Sequence, residues 1–283
     1  MSYPMQFDLK SKVIVITGGA GVLGTEFSKA CAEAGAKVVI LGRSFEKAEK
    51  LASEIRSLGQ QAMAVSADVL NKASIETAHA LIKANFGPVD ILINGAGGND
   101  PKATTGDEYF NALALETEGA KHFFNMDLDG FNYVFGLNFT GTLIPSQVFG
   151  KDMIGRPGCT ILNISSMSAF NPLTKIPAYS AAKAAINNFT EWMAVHFANE
   201  GIRVNALAPG FFVTEQNKAL LVKPDGSLTD RSLKIINSTP MRRFGEPGEL
   251  IGTLLWLLDS NQSKFVTGVV IPVDGGFNAY AGV

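Results

Sequence analysis

KVIVITGGAGVLG, Lys12 to Gly24, is the stretch whose reading decides the fold. Lys12–Thr17 is a run of β-branched residues suited to a strand covered on both faces. Glycines 18, 19, 21 and 24 break it at once, and a helix-forming sequence follows to about Ala34. Glycine permits a sharp turn and a close backbone approach, while the free amides and dipole of a following helix favour an anion. The stretch predicts a strand, a phosphate-binding turn and a helix, the first unit of an alternating α/β chain. A turn of this kind also serves helix–strand packing, so it does not identify a ligand alone.

The alternation continues on the C-terminal side. Strands are predicted at Lys37–Leu41, Ala62–Ser66, Asp90–Ile93, Thr160–Ile164, Arg203–Ala206 and Val269–Pro272. Helices are predicted at Phe45–Leu58, Asn71–Asn85, Gly130–Lys151, Ala178–Glu200 and Pro247–Leu258, with Gly35 and Gly59 closing the first two helices of the chain. Apolar strands, each followed by a helix, imply a parallel sheet with helices on both faces. Right-handed crossovers make it doubly wound, a seven-stranded Rossmann-type α/β fold. No repeat or Pro/Ser-rich linker divides the chain, so residues 1–283 are expected to form one domain. Two long excursions interrupt it, at about 98–128 and about 211–240; loops of that length are usually functional.

Composition narrows the function. The 46% hydrophobic content supplies a core and argues against a disordered chain. A net charge of −2 gives no electrostatic basis for binding nucleic acid or an anionic membrane. Cys31 and Cys159 are isolated, and neither they nor the three histidines (His79, His122, His196) have metal-ligand spacing, so no metal is expected. The N-terminal MSYPMQFDLK lacks a signal-peptide pattern and no apolar run would span a bilayer; the expected location is cytoplasmic.

Tyr179-Ser180-Ala181-Ala182-Lys183 places a phenol and an ammonium four residues apart, on one face of a helix. A nearby cation favours phenolate and would bring the tyrosine toward a pKa at which it exchanges a proton with an alcohol or carbonyl. On its own, a YxxxK pattern is more often a chance surface pair.

Taken together, the residues resemble the short-chain dehydrogenase/reductase superfamily over nearly the whole chain. In the turn, Thr17, Gly18 and Gly24 match the family's TGxxxGxG, with Gly21, Val22 and Leu23 completing it; Val22 stands where the family has its middle glycine. The resemblance implies that Asp68 and Val69 contact adenine and that Asn94, Ala96 and Gly97 line the riboses. Pro209, Gly210 and Thr214 would hold the carboxamide side of the nicotinamide. It implies a catalytic set of Asn138, Ser166, Tyr179 and Lys183, with Ser166 thirteen residues before Tyr179. Ser166 would hold the reacting oxygen, Lys183 would also bind cofactor, and Asn138 would hold a water in a proton relay. Ser165 is one residue off that spacing.

The end of the second strand reads Gly42-Arg43-Ser44, with no acid to bind a ribose diol and repel a 2′-phosphate. Arg43 can pair with that phosphate or stack on adenine, so NADP is favoured and NAD stays open. The interval from Asn94 to Asn138 is longer than the family pattern suggests. That insertion, Asn171–Lys175, Phe211–Asn217 and Asp274–Phe277 resemble the D-mannonate oxidoreductase (fructuronate reductase) branch. This implies interconversion of D-fructuronate and D-mannonate, with a gluconate 5-dehydrogenase activity as the nearest rival. A sugar acid needs a cation and several polar groups, for which Asn99, Lys102, Ser166, Lys175 and Asn217 are candidates. A non-catalytic dinucleotide-binding redox sensor would keep the fold without needing the proton-relay set. The family also implies a homotetramer built on the helices at 130–151 and 178–200.

Overall fold

The computed structural model describes residues 6–213 and 221–282. Its centre is a seven-stranded, all-parallel sheet in the order β3-β2-β1-β4-β5-β6-β7. The strands are β1 (Val13–Thr17), β2 (Lys37–Gly42), β3 (Gln61–Ser66), β4 (Ile91–Asn94), β5 (Thr160–Ile164), β6 (Arg203–Pro209) and β7 (Val270–Val273). The helices are α1 (Val22–Glu33), α2 (Phe45–Ser57), α3 (Lys72–Phe86), α4 (Leu128–Phe149), α5 (Pro177–His196), α6 (Asp230–Asn237) and α7 (Ile251–Leu258), followed by a single turn at Ser260–Ser263. This is the expected doubly wound Rossmann-type fold.

Register explains the two cores. Val15 lies between Val39 and Leu92, and Leu92 between Val15 and Ile161. Alternate residues of each strand therefore face opposite layers. One layer joins Ile14, Ile16, Val38 and Ile40 to Phe27, Ile55, Leu254 and Leu257 of α1, α2 and α7. The other joins Val15, Val39 and Leu92 to Ile75, Ile82, Phe149 and Met193 of α3, α4 and α5. Strand order reverses between β1 and β4, which opens a crevice at the carboxyl ends of the strands.

Local signals set most boundaries. The side chains of Ser44, Asn71 and Asp127 accept from the backbone amides of Lys47, Ser74 and Gly130, and so begin α2, α3 and α4. Three expectations move. The pattern predicted as helix to Glu200 ends α5 at His196, because a 3-10 turn at Ala198–Glu200 and left-handed Gly201 take over. Strand β6 runs three residues beyond Ala206, since it pairs along its whole end with β7. The excursion at 211–240 contains α6, whose Thr229 side chain caps the Ser232 amide. The 98–128 excursion carries 3-10 turns at Pro101–Ala103, Ala112–Leu115 and Phe123–Asn125 and leads into α4 at Leu128.

Candidate active site

A cavity of about 500 Å³ lies over the reversal point of the sheet. Gly18, Gly21, Val22 and Leu23 from the first turn line it, with Ala96 and Gly97 after β4. Ser166, Tyr179, Lys183, Pro209 and Gly210 complete the set that the sequence gathered from distant segments.

The turn shows why the glycines stand where they do. Gly18 has φ +68°, and a Cβ on it would reach 3.0 Å from the Ala96 Cα. A Cβ on Gly24 would stand 2.1 Å from the Gly18 carbonyl oxygen, and one on Gly21 would stand 2.9 Å from it. Val22 begins α1, where a side chain is ordinary; no glycine is needed there. The N-cap, Gly21, supplies no side-chain acceptor and the first turn carries no acid. The starting amides of α1 are thus left to an anion. The turn fits a dinucleotide pyrophosphate.

Beneath the cavity, buried amides fix the strand ends. Asn94 Nδ2 donates to Ser146 Oγ at 3.0 Å and to Asn163 Oδ1 at 2.9 Å, and Asn163 Nδ2 donates to Thr190 Oγ1 at 2.9 Å. This chain ties β4 and β5 to α4 and α5. Asn94 is therefore a brace under the floor and does not itself line the cavity. Thr17 Oγ1 accepts from the amides of Gly95 and Ala96 at 3.1 Å, which holds the loop after β4 against the glycine turn.

The proton-transfer group occupies the other end. Lys183, 5% exposed, donates from Nζ to the Ile164 carbonyl at 2.7 Å. Its Nζ lies 5.6 Å from the centre of the Tyr179 ring. Burial drives the two groups in opposite senses: it raises the Tyr179 phenol above its usual value and lowers Lys183 to about 8. The expected lowering of Tyr179 by Lys183 is not found: burial raises the phenol, and the group that opposes the rise is the Ser166 hydroxyl beside it. Ser166 Oγ accepts from the amide and hydroxyl of Ser168 at 3.2 and 3.0 Å. Ser165 instead directs its hydroxyl to Asn187 of α5, which separates the two serines by role.

Asn138 is fully buried. Its Nδ2 donates to the carbonyls of Gly98 at 2.7 Å and Val134 at 2.8 Å, and its Oδ1 accepts from the Gly98 amide at 3.2 Å. In the structure it clamps the chain after β4, next to Lys183, rather than bonding the lysine itself.

Other predicted residues stand outside this cavity. Arg43 is exposed at the end of β2, where its carbonyl accepts from Ser66, and Ser44 caps α2. Asp68 accepts from the Leu70 amide, and Val69 packs in the second core layer. Asn99 and Lys102 are exposed and do not line the cavity. Lys175 borders an adjoining cavity of about 570 Å³. Thr214 and Asn217 lie outside the described residues. His79 pairs with Asp152, and His196 stacks on Trp192. Among the described residues no cluster could hold a metal, and no helix is long and apolar enough to cross a membrane.

Sequence reasoning missed Arg231 and Ile235 of α6, which with Leu221 wall the cavity. The signal was available in Thr229 and Ser232, spaced as a helix cap, but α6 is only eight residues long.

Comparisons with known proteins agree with this geometry. The model of the short chain dehydrogenase family matches residues 12–224. An uncharacterized oxidoreductase of Bacillus subtilis is 54% identical over 280 residues, covering 99% of each chain. A Haemophilus influenza structure assigned as a D-mannonate oxidoreductase, with bound NAD, superposes with a TM-score of 0.94 at 53% identity over 98% of both chains. A gluconate 5-dehydrogenase from Burkholderia cenocepacia, in complex with NADP and tartrate, gives a TM-score of 0.82 at 31% identity over 97% of this chain and 98% of that one. The glycine turn, the Ser166–Tyr179–Lys183 group and these likenesses lead to one conclusion: the chain belongs to the short-chain dehydrogenase family and is an oxidoreductase acting on CH–OH groups with a nicotinamide dinucleotide.

Proposed function

We propose that this enzyme interconverts a keto sugar acid and its alcohol, with D-fructuronate and D-mannonate as the pair. The observation that carries the chemistry is the cavity in which Ser166, Tyr179 and Lys183 meet the glycine turn. The substrate rests on the 53%-identical relative assigned as a D-mannonate oxidoreductase. Gluconate 5-dehydrogenase activity is the second reading, favoured by the Burkholderia likeness.

A nicotinamide dinucleotide, when bound, supplies or accepts the hydride. Gly18, Gly21, Val22 and Leu23 would hold its pyrophosphate, while Ala96, Gly97, Pro209 and Gly210 would flank the nicotinamide half. Arg43, Ser44, Asp68 and Val69 would take the adenosine end. Arg43 supports NADP, the dinucleotide in the Burkholderia relative, while the Haemophilus relative with bound NAD supports NAD.

In the reducing direction, Ser166 holds the substrate carbonyl oxygen and Tyr179 transfers its phenolic proton to that oxygen. A phenol kept above its usual pKa is fully protonated at neutral pH and so is ready as the acid. Lys183 restores charge balance as the phenolate forms, and Asn138 keeps the adjoining loop in register. In oxidation the same phenolate takes the proton back.

The exposed faces of α4 and α5 support a homotetramer. Phe139 and Phe189 pack with Trp192 and His196 in an aromatic row, and Trp192 and Val195 remain exposed. Light scattering after gel filtration tests this.

The functional test follows reduced-cofactor absorbance with D-fructuronate and with 5-keto-D-gluconate, each with NADH and NADPH. Turnover of fructuronate supports the first reading, and no turnover of either acid refutes both. Tyr179→Phe should lose at least about 10³-fold in kcat. Retention of most activity would overturn the assigned mechanism.

A further inference from the structure

One charged side chain in the cavity is unaccounted for by the hydride and proton chemistry. Arg231, at the second position of α6, borders the catalytic cavity and also the adjoining one, where Lys175, Lys234 and Glu108 meet. The catalytic cavity is lined by two cations and, among the described residues, by no carboxylate. Lys183, one of the two, spends a donor on the Ile164 carbonyl inside the protein. Arg231 is exposed and makes no hydrogen bond or salt bridge with any described residue.

Its neighbours differ in this respect. Lys234 donates to both carboxylate oxygens of Glu108 at 2.9 Å, a bond that ties α6 to the long excursion at 98–128. Glu108 is held below the usual carboxylate range by that bond first, then by the fields of Lys234, Lys175 and Arg231. The cluster therefore contains three cations to one carboxylate, and that carboxylate is already engaged. Arg231, which borders both cavities, and Lys175, which borders the adjoining one, are left as positive charges without a carboxylate of their own.

We infer that Arg231, backed by Lys175, is the residue that recognises the substrate carboxylate. The inference rests on the sugar-acid reading and deepens it. A guanidinium presents a rigid fork that matches a carboxylate with two parallel hydrogen bonds. In D-fructuronate and 5-keto-D-gluconate the ketone adjoins the terminal hydroxymethyl group and the carboxylate is at the other end of the chain, so one molecule can meet both sites. Its keto oxygen lies against Ser166 and Tyr179, and its carboxylate reaches Arg231 across the same cavity. Hydroxyls alone would leave that fork unmatched, which gives the enzyme its preference for acids over neutral ketoses. The Glu108–Lys234 bridge acts at one remove: it positions α6 so that Arg231 faces the cavity.

The test uses the full chain with Arg231→Met and Arg231→Lys. The substrates are whichever of D-fructuronate and 5-keto-D-gluconate the unsubstituted protein turns over better, and the neutral methyl ester of that acid. KM and kcat are read separately, alongside NADH binding by fluorescence and the thermal midpoint. Arg231→Met should raise KM for the acid by about 10- to 100-fold, the usual effect of losing a charged hydrogen-bonded pair. The ester's KM and NADH binding should not change. Arg231→Lys should fall between, because it restores charge without the fork. An unchanged KM for the acid in Arg231→Met, with acid preferred over ester as before, overturns the inference. Lack of turnover of either acid by the unsubstituted protein overturns the sugar-acid reading and the inference with it, before any variant is compared.

Discussion

Gly97→Ala isolates how tightly the catalytic end is packed. Gly97 does not have a positive φ, so its backbone tolerates alanine and the effect is steric. The added Cβ would stand 2.6 Å from Asn138 Oδ1 and 3.4 Å from Lys183 Nζ. An ordinary carbon–oxygen contact is about 3.3 Å, so Oδ1 must retreat by roughly 0.7 Å. It cannot do so freely, since the fully buried Asn138 amide is fixed by Gly98 on both sides and by Val134. Rotation strains or breaks those three hydrogen bonds, at about 1 kcal/mol each. The expected destabilisation is about 2–3 kcal/mol, or a fall of roughly 4–12 °C in thermal midpoint for a chain of this size. The loop after β4 and Lys183 shift together, and misplacement on that scale should cost about 10- to 100-fold in kcat. Urea unfolding and steady-state kinetics on Gly97→Ala measure both effects. The cause is checked by a double-mutant cycle with Asn138→Ala, which removes the blocking atom. In that background Gly97→Ala should add little further loss of stability. Full additivity of the two substitutions, or a Gly97→Ala protein with unchanged stability and kcat, would refute the steric account.

Other expectations concern pH, the phosphate turn and the cofactor. Lys183 is lowered to about 8 by burial, so it is charged below that pH and neutral above it. The reduction kcat/KM should be level at neutral pH and fall as pH rises through about 8, while the raised Tyr179 phenol stays protonated over that range. Lys183→Arg, which keeps its charge, should move that limb to higher pH; a limb that stays put assigns it to another group. Gly24→Ala forces a Cβ to 2.1 Å from the Gly18 carbonyl and must open the turn. NADH affinity should drop by at least about 100-fold, read by fluorescence titration, and wild-type affinity would count against the turn as the pyrophosphate site. Arg43→Ala should raise KM for NADPH by about tenfold and leave NADH unchanged; equal effects on both would remove Arg43 from discrimination.

The parts legible in the sequence depend on neighbours close along the chain. The glycine turn at 18–24 is a matter of local sterics, and helical spacing puts Tyr179 and Lys183 on one face whatever surrounds them. The alternation of apolar strands with helices fixes the sheet class for the same reason. Helix α6 escaped because, although its apolar residues repeat at helical spacing, it is only eight residues long and lies within a long excursion.

What the tertiary structure decided depends on groups far apart in sequence. Asn138 meets Gly98 across 40 residues, and Asn94 meets Asn163 across 69. Only the folded chain shows that the first clamps a loop and the second braces two strand ends. Arg231 reaches the cavity because the fold brings α6 to the same cavity wall as Pro209 and Gly210 at the end of β6, a meeting that residues near it in sequence do not specify. The charge state of the reacting pair belongs here as well. Spacing brought Tyr179 and Lys183 together and suggested a lowered phenol, but burial by residues from other elements raised the phenol and lowered the amine. Residue type and local spacing determine which groups can react; the desolvation and long-range contacts that set their protonation and aim exist only once the sheet has closed its two layers around them.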